Sequence, residues 1–155
     1  MSNQEQEILL RVFSDVAESL AFMFAETPEE AEECVVTDDC FARARMEFHG
    51  PFSGSLLMAV PESMCPEIAA NVLGLEPDDD LVTHQPYDAL KELLNVTCGN
   101  VLTALAGETP VFDLTVPEVT RLDAPAWEAL KGEAGVVCCV VDDNPALLQL
   151  ETDRQ

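Results

Sequence analysis

Hydrophobic residues recur at helical spacing in two long stretches of the chain. The first stretch, Asn3 to Ala25, repeats apolar side chains every three to four residues, and the second, Pro86 to Leu105, divides into an apolar and a polar side at about 100° per residue. Both patterns predict amphipathic helices with one buried side. The buried stripe predicted for the second helix comprises Leu90, Leu93, Leu94, Thr97, Val101, Ala104 and Leu105.

Shorter segments alternate between apolar and polar residues or are apolar throughout, which is typical of strands. The strongest alternation gives the segment Phe41 to Phe48 a charged outer face. The other predicted strands are Ser55–Val60, Glu133–Val141, Ala146–Glu151 and the extended segment Val111–Leu122, in which Pro117 predicts an edge position or a bulge. Shorter helices are predicted from Pro61 to Gly74 and from Pro125 to Leu130. A connector, Glu29 to Asp39, is acidic and includes a short apolar segment, Cys34 to Val36, that could form a strand.

Turn residues at 49–54 and 142–145 join neighbouring strands too closely for a crossover connection. The strands therefore pair in antiparallel fashion, and we predict an α+β fold with one antiparallel sheet and the long helices packed on one face. Each half begins with a long helix followed by a hairpin, which indicates an internal pseudo-repeat. At 155 residues, the whole chain is expected to form a single domain, residues 1–155.

The chain carries 30 acidic and 7 basic residues, for a formal net charge of -23. Nucleic acids and anionic membranes both require a basic surface, so the charge argues against both as partners. Any binding partner is expected to present a basic or mixed face.

The first residues lack the basic start and apolar run of a signal peptide, and no apolar stretch approaches the length of about 18 residues that spans a bilayer. The six cysteines contain no C-x-x-C pair, a pattern that favours reduced thiols. These observations predict a cytoplasmic protein.

The polar side of the second long helix carries the candidate chemistry. Asp88, Glu92 and Asn95 stand at positions i, i+4 and i+7, and Gly99 extends the same stripe. A glycine inside a helix costs about 0.5–1 kcal/mol relative to alanine, so we expect it to allow another molecule to approach the backbone.

This stripe is insufficient for a self-contained hydrolase. Two carboxylates can act as acid and base, but a single helix face offers neither a nucleophile nor a pocket. No glycine-rich phosphate loop or Ser-His-Asp set is evident, and the run Asp78–Asp80 and the two histidines lack metal-ligand spacing. A side-chain amide can orient a water molecule without titrating, and a carboxylate can bind a cation on a partner. The stripe therefore predicts an active site completed by another protein.

The sequence Asp88-x3-Glu92-x2-Asn95, followed by Gly99-Asn100, resembles the D/S-x3-E-x2-N motif of the CheX/CheC/FliY family of bacterial chemotaxis phosphatases. The family motif continues to a proline about 22 residues further on, and Pro117 follows Asn95 after 21 intervening residues. The order of helices and hairpins over nearly the whole chain is similar to CheX in particular.

The resemblance implies a two-component signalling role, in which the protein dephosphorylates the aspartyl-phosphate of a CheY-like response regulator. Asn95 would hold the attacking water, Glu92 would pair with a lysine of the regulator, and Asp88 and Gly99 would contact the partner. Mg²⁺ would be bound by the regulator, so this chain would need no cofactor and hold no metal. The resemblance also implies a homodimer.

Two alternatives accompany this interpretation. The domain could instead be a non-catalytic binding module that docks a response regulator or another signalling partner, or the stripe could be an ordinary solvated face. In the first helix, Ser14-x3-Glu18-x2-Ala21 matches the motif except at the asparagine position, so it is either an inactive second copy or an accidental match. The identity of the regulator and its pathway are not encoded in these patterns.

Overall fold

The computed structural model describes residues 2–27 and 38–154. Its helices are α1 (Asn3–Ala21), α2 (Cys65–Leu73), α3 (Asp80–His84), α4 (Asp88–Ala106) and α5 (Ala124–Lys131), and a 3-10 turn spans Glu62–Met64. Its strands are β1 (Ala25–Glu26), β2 (Cys40–His49), β3 (Gly54–Pro61), β4 (Asp113–Leu114), β5 (Glu118–Asp123), β6 (Val136–Val141) and β7 (Asn144–Thr152).

The strands of the described segments form one antiparallel sheet in the order β1-β6-β7-β3-β2-β4, and β5 also pairs with β2. The β6–β7 hairpin turns at Asp142 and Asp143, whose φ angles of 45° and 69° match the positive φ that a tight two-residue turn requires. Short hairpins thus enforce antiparallel pairing, and the predicted α+β class is confirmed.

The sheet is covered on both faces. The long helices α1 and α4 pack with α2 on one face, where the alternating side chains Ala42, Ala44, Met46 and Phe48 of β2 enter the main core. This arrangement confirms the prediction for the long helices. Helix α5 covers part of the opposite face, where Trp127 stacks on Phe41 with ring centroids 4.3 Å apart. Burial of apolar side chains on both faces holds these layers together.

Most of the stripe predicted for α4 is buried, from Leu90 to Val101. The buried hydroxyl of Thr97 donates to the carbonyl oxygen of Leu93 at 2.7 Å, so its burial leaves no unsatisfied group. The prediction is wrong at the C-terminal end, where Ala104 is exposed and Leu105 is only half-buried. The last turn of α4 lies beyond the core, which the helical periodicity does not reveal.

The first helix ends four residues before the predicted boundary. Phe22 adopts a left-handed conformation with φ of 55°, and the N–H of Met23 donates to the carbonyl of Ala17. This geometry is a common helix stop. The chain then reverses so that Met23 is buried and β1 pairs with β6. The helical pattern misled because Met23 and Phe24 continue its spacing after the backbone has turned.

Two other segments complete the comparison with the sequence. The predicted strand at Cys34–Val36 and most of the acidic connector lie outside the described residues. Helix α3 has no counterpart among the predicted elements; its N-terminus is capped by Asp79, whose carboxylate accepts from the N–H of Leu81 at 3.0 Å.

Four of the described cysteines, Cys40, Cys65, Cys98 and Cys139, are free, whereas Cys138 is disulfide-bonded. The prediction that the thiols are reduced is therefore wrong for Cys138. Burial raises the pKa of Cys98 and of Cys139 to about 12, so both remain protonated thiols at neutral pH. Among the described helices, none is long and apolar enough to cross a bilayer.

Candidate functional site

The polar side of α4 faces a surface cleft, here called the α4 cleft. One wall consists of the first two turns of α4, and the other is the end of β4 with the segment that follows it. The cleft encloses about 380 Å³ and is lined by Asp88, Lys91, Glu92, Asn95, Leu114, Thr115, Val116 and Pro117. The motif residues Asp88, Glu92 and Asn95 and the motif proline, which follows Asn95 after 21 intervening residues, therefore line one cleft.

The motif side chains are accessible. Asp88 and Glu92 are exposed, and Asn95 and Gly99 are half-buried. Within residues 2–27 and 38–154, no side chain forms a hydrogen bond or ion pair with Glu92 or Asn95. A carboxylate and an amide in this state have all their hydrogen-bonding capacity available to another molecule.

The second wall of the cleft is a bulge in the edge strand. Phe48 of β2 pairs with Leu114 and Arg45 pairs with Glu118, so the residues 115–117 stand opposite only the residues 46 and 47. We call Thr115, Val116 and Pro117 the edge bulge. Pro117 has no N–H for the ladder, which favours exactly this kind of interruption. The predicted edge or bulge at Pro117 is thus confirmed.

Thr115 holds the edge bulge against β2. Its N–H donates to the carbonyl of Glu47 at 2.9 Å, and its hydroxyl accepts from the N–H of Glu47 at 2.8 Å. These two bonds replace the ladder bonds that the bulge interrupts. As a result Val116 projects outward with 80% of its surface exposed, beside the polar stripe of α4.

Sequence reasoning missed four lining residues, namely Lys91, Leu114, Thr115 and Val116. The position of Lys91 could have been found, because it stands at i+3 from Asp88 and i−4 from Asn95, on the same side of the helix. The remaining three are brought to the cleft by the pairing of β4 with β2, which no local pattern reveals.

The α4 cleft carries two carboxylates, Asp88 and Glu92, and one ammonium group, Lys91, which leaves it net negative. Such a surface attracts a cationic group on a partner. In the described part of the chain no group of three or more His, Cys, Asp and Glu side chains is arranged to hold a metal ion. The donor set of the cleft thus suits a basic side chain of a partner better than a resident metal.

The helix start beside the cleft is held by a second set of side chains. The Tyr87 hydroxyl, one residue before α4, donates to Oε1 of Glu62, and Arg121 donates to Oε2 of the same carboxylate from Nη2 at 3.0 Å and from Nε at 3.2 Å. The thiol of Cys40 donates to Oε2 at 2.5 Å. Chiefly the bonds from Cys40 and Tyr87 lower the pKa of Glu62, because they stabilise its charged form.

The hydrogen bond to Glu62 raises the pKa of Tyr87 to about 12. Tyr87 is the only tyrosine, so the absorbance of tyrosinate reports on this group alone. The pKa of Tyr87 in the folded state therefore lies above its pKa of about 10 in the unfolded state. The hydrogen bond stabilises the fold fully below pH 10, and its contribution is lost as the pH rises from about 10 to about 12. We expect Tyr87 to ionise at a higher pH in the native protein than in denaturant, and we expect Glu62→Ala to remove most of this difference in pH. Identical native and denatured titrations would contradict this.

Gly99 leaves a gap on the exposed stripe. An added methyl group would meet no atom within 4 Å, so this chain itself does not require a glycine there. We expect Gly99→Ala to raise the free energy of unfolding by about 0.5–1 kcal/mol through helix propensity. If a partner packs over the stripe, the same methyl group should weaken its binding by about 1 kcal/mol.

Unfolding can be followed by the fluorescence of the buried Trp127, and Asn100→Ala, on another side of α4, controls for the gain in helix propensity. Unchanged partner binding by Gly99→Ala would show that Gly99 does not lie in the contact.

The corresponding positions in α1 differ. Ser14 is half-buried and Glu18 is exposed, but Ala21, at the asparagine position, is 0% exposed. An asparagine side chain starting from that position would begin inside the core. The α1 segment Ser14-x3-Glu18-x2-Ala21 therefore offers no accessible amide position comparable to Asn95.

Comparisons with known proteins identify a family and a fold for this chain. The family described as chemotaxis phosphatase CheX matches residues 43–140, which include the whole of α4 and the edge bulge. No curated protein matches the chain in sequence.

Several solved structures share the fold. The CheX–CheY–BeF3–Mg²⁺ complex from Borrelia burgdorferi matches at 16% identity, with a TM-score of 0.64 and coverage of 97% of this chain and 98% of that chain. Chemotaxis protein CheX from Vibrio vulnificus gives 18% identity, a TM-score of 0.66 and coverage of 98% and 100%. A CheC-like superfamily protein from Shewanella gives 19% identity and a TM-score of 0.65, with coverage of 99% of this chain and 100% of that chain. The fold of this chain is therefore CheC-like over nearly its full length.

Proposed function

This chain belongs to the CheX family of chemotaxis phosphatases, and on that premise we propose that it hydrolyses the aspartyl-phosphate of a CheY-type response regulator. Asn95 positions the attacking water, and Glu92 binds a lysine of the regulator. The observation that carries the proposal is the pair of exposed Glu92 and half-buried Asn95, which has no hydrogen-bond or ion-pair partner in the described part of this chain and lies in a cleft open to solvent.

The chemistry follows from what an amide can do. Asn95 orients a water molecule through its carbonyl oxygen or its NH2 group, so that the water oxygen attacks phosphorus opposite the leaving carboxylate. The new P–O bond forms while the bond from phosphorus to the aspartate oxygen breaks. The products are free aspartate and inorganic phosphate, which keeps both protons of the water. Positioning of this kind is the main contribution that a protein makes to phosphoryl transfer.

The remaining parts of the active site belong to the regulator. It supplies the phosphorylated aspartate, the lysine that Glu92 binds, and the Mg²⁺ that neutralises charge on the phosphoryl group. Asp88 and Gly99 contact the regulator on either side of the catalytic pair. This chain accordingly needs no cofactor of its own and acts in the cytoplasm, where phosphorylated regulators signal.

The α4 cleft is suited to docking as well as to chemistry. Val116 is 80% exposed and Leu114 is 40% exposed, and both flank the charged groups of α4. An apolar rim beside carboxylates fits a partner surface that combines a basic side chain with apolar neighbours. A CheX relative crystallised with CheY supports a regulator of that type as the partner.

The proposal is tested by following phosphate release from phosphorylated response regulators of the same cell. We expect the protein to shorten the phosphate lifetime of at least one of them catalytically. A non-catalytic binding module would bind the regulator through the same cleft and leave the lifetime unchanged. Regulators that neither bind nor lose phosphate faster would indicate an ordinary solvated helix face.

We also propose that the protein is a homodimer, as CheX-like proteins often are. Light scattering should then give a mass twice that of one chain, and a mass equal to one chain would remove this part of the proposal.

A further inference from the structure

One carboxylate joins the residue that precedes α4 to strand β5, which follows the edge bulge, so it links the chain segments next to both walls of the α4 cleft. Glu62, in the 3-10 turn after β3, accepts hydrogen bonds from Tyr87, which immediately precedes α4, and from Arg121 in β5. Its two oxygens are divided between these elements, since Oε1 binds Tyr87 and Oε2 binds Arg121 and Cys40. With both oxygens engaged in different directions, the carboxylate has a single orientation.

The first wall needs such an anchor. Helix α4 begins without a side-chain cap, so its first turn lacks the usual acceptor for the free N–H groups. Asp88 lies in that turn and Glu92 in the next. Among the side-chain hydrogen bonds of residues 2–27 and 38–154, the one from Tyr87 to Glu62 lies closest in sequence to this helix start.

The strand that follows the second wall contacts the same carboxylate. Arg121 lies on β5, which begins at Glu118, directly after Pro117 of the edge bulge. Arg121 pairs in register with Ala42 of β2, so fixing its side chain also holds the strand from which the bulge projects.

The ion pair between Arg121 and Glu62 contributes little stability to this network. The side chain of Arg121 is 66% exposed and that of Glu62 is 28% exposed. Ion pairs at such exposure add little to the free energy of unfolding. A contact that joins two walls of a cleft can still fix their separation, and small displacements of catalytic groups are costly.

We propose that Glu62 is a positioning residue of the α4 cleft. Through Tyr87 and Arg121 it holds α4 at a set distance from the edge bulge, so that Glu92 and Asn95 meet the regulator in one geometry. The catalytic part of this inference rests on the proposed function.

The test compares Glu62→Ala, Glu62→Gln and Tyr87→Phe with the wild type in two measurements. The first is amide hydrogen exchange of residues 88–92 and 114–118. Loss of the anchor should make exchange at both walls about tenfold faster in Glu62→Ala, because local opening becomes easier. Tyr87→Phe removes only the bond to α4, so it should affect residues 88–92 alone. Exchange elsewhere and the fluorescence of Trp127 verify that each variant is folded.

The second measurement is phosphate release at several regulator concentrations. Misplacement of Asn95 should lower kcat about tenfold in Glu62→Ala while KM changes little, since the docking groups are still present. Glu62→Gln keeps a side-chain oxygen as acceptor and should restore part of the loss. Glu67→Ala, which removes another glutamate close by in sequence, serves as the matched control.

The outcomes separate this inference from the proposed function. Unchanged exchange at both walls in Glu62→Ala would overturn it whatever the activity. Faster exchange with an unchanged kcat would show that Glu62 does not position the catalytic group, which also overturns it. A wild type that does not accelerate phosphate release would refute the proposed function, and exchange would still decide whether Glu62 holds the walls together.

Discussion

Asn95→Ala is expected to reduce the catalysed release of phosphate from the regulator by about 100-fold, as loss of one preorganised hydrogen-bonding group commonly does. The alanine variant can still dock, because the carboxylates and the edge bulge are unchanged. Its kcat should therefore fall while the regulator concentration at half-maximal rate stays within about twofold. The measurement is single-turnover loss of radiolabelled phosphate, corrected for spontaneous hydrolysis by the regulator.

Two further variants sharpen this result. Asn95→Gln keeps the amide but moves it outward by one methylene group, so it should also lose most of the activity if position determines the rate. Asn100→Ala removes an amide from another side of α4 and should retain full activity. Wild-type activity in Asn95→Ala would remove the water-positioning role and leave regulator docking as the function of the cleft.

Glu92→Ala is expected to weaken regulator binding roughly 30-fold, which corresponds to about 2 kcal/mol. The loss arises because the lysine of the regulator would lie in the interface without its partner. It should appear mainly in KM and in the dissociation rate, and the dependence of binding on salt should become weaker. Binding can be followed by titration calorimetry at two salt concentrations.

The matched control for Glu92 is Glu18→Ala. It removes the same charge from the exposed side of α1, where Ala21 stands at the asparagine position. We expect it to bind and catalyse as the wild type does. If both variants weaken binding equally, the effect reflects the total charge of the protein, and the specific pairing by Glu92 is wrong.

The local sequence predicted α4 well because its signals are short-range. Apolar spacing identified the buried side from Leu90 to Val101, and the same spacing put Asp88, Glu92 and Asn95 on the opposite side. The predicted C-terminal end of α1 is wrong because apolar spacing is the only signal used there. A periodic pattern contains no information about the left-handed conformation of Phe22, which ends the helix. The roles of Glu92 and Asn95 in catalysis remain predictions.

The sequence by itself predicted the two long helices, the antiparallel pairing of the main strands and the position of the motif on the side of α4 away from the core, because periodicity and turn residues act within a few positions of one another. Only the tertiary structure decided that the edge bulge faces α4, and that Glu62 joins Tyr87 to Arg121. Glu62 is separated along the chain by 25 residues from Tyr87 and by 59 from Arg121. Contacts over such distances are selected by the packing of the whole sheet and its helices, to which every strand contributes, and no local pattern specifies them.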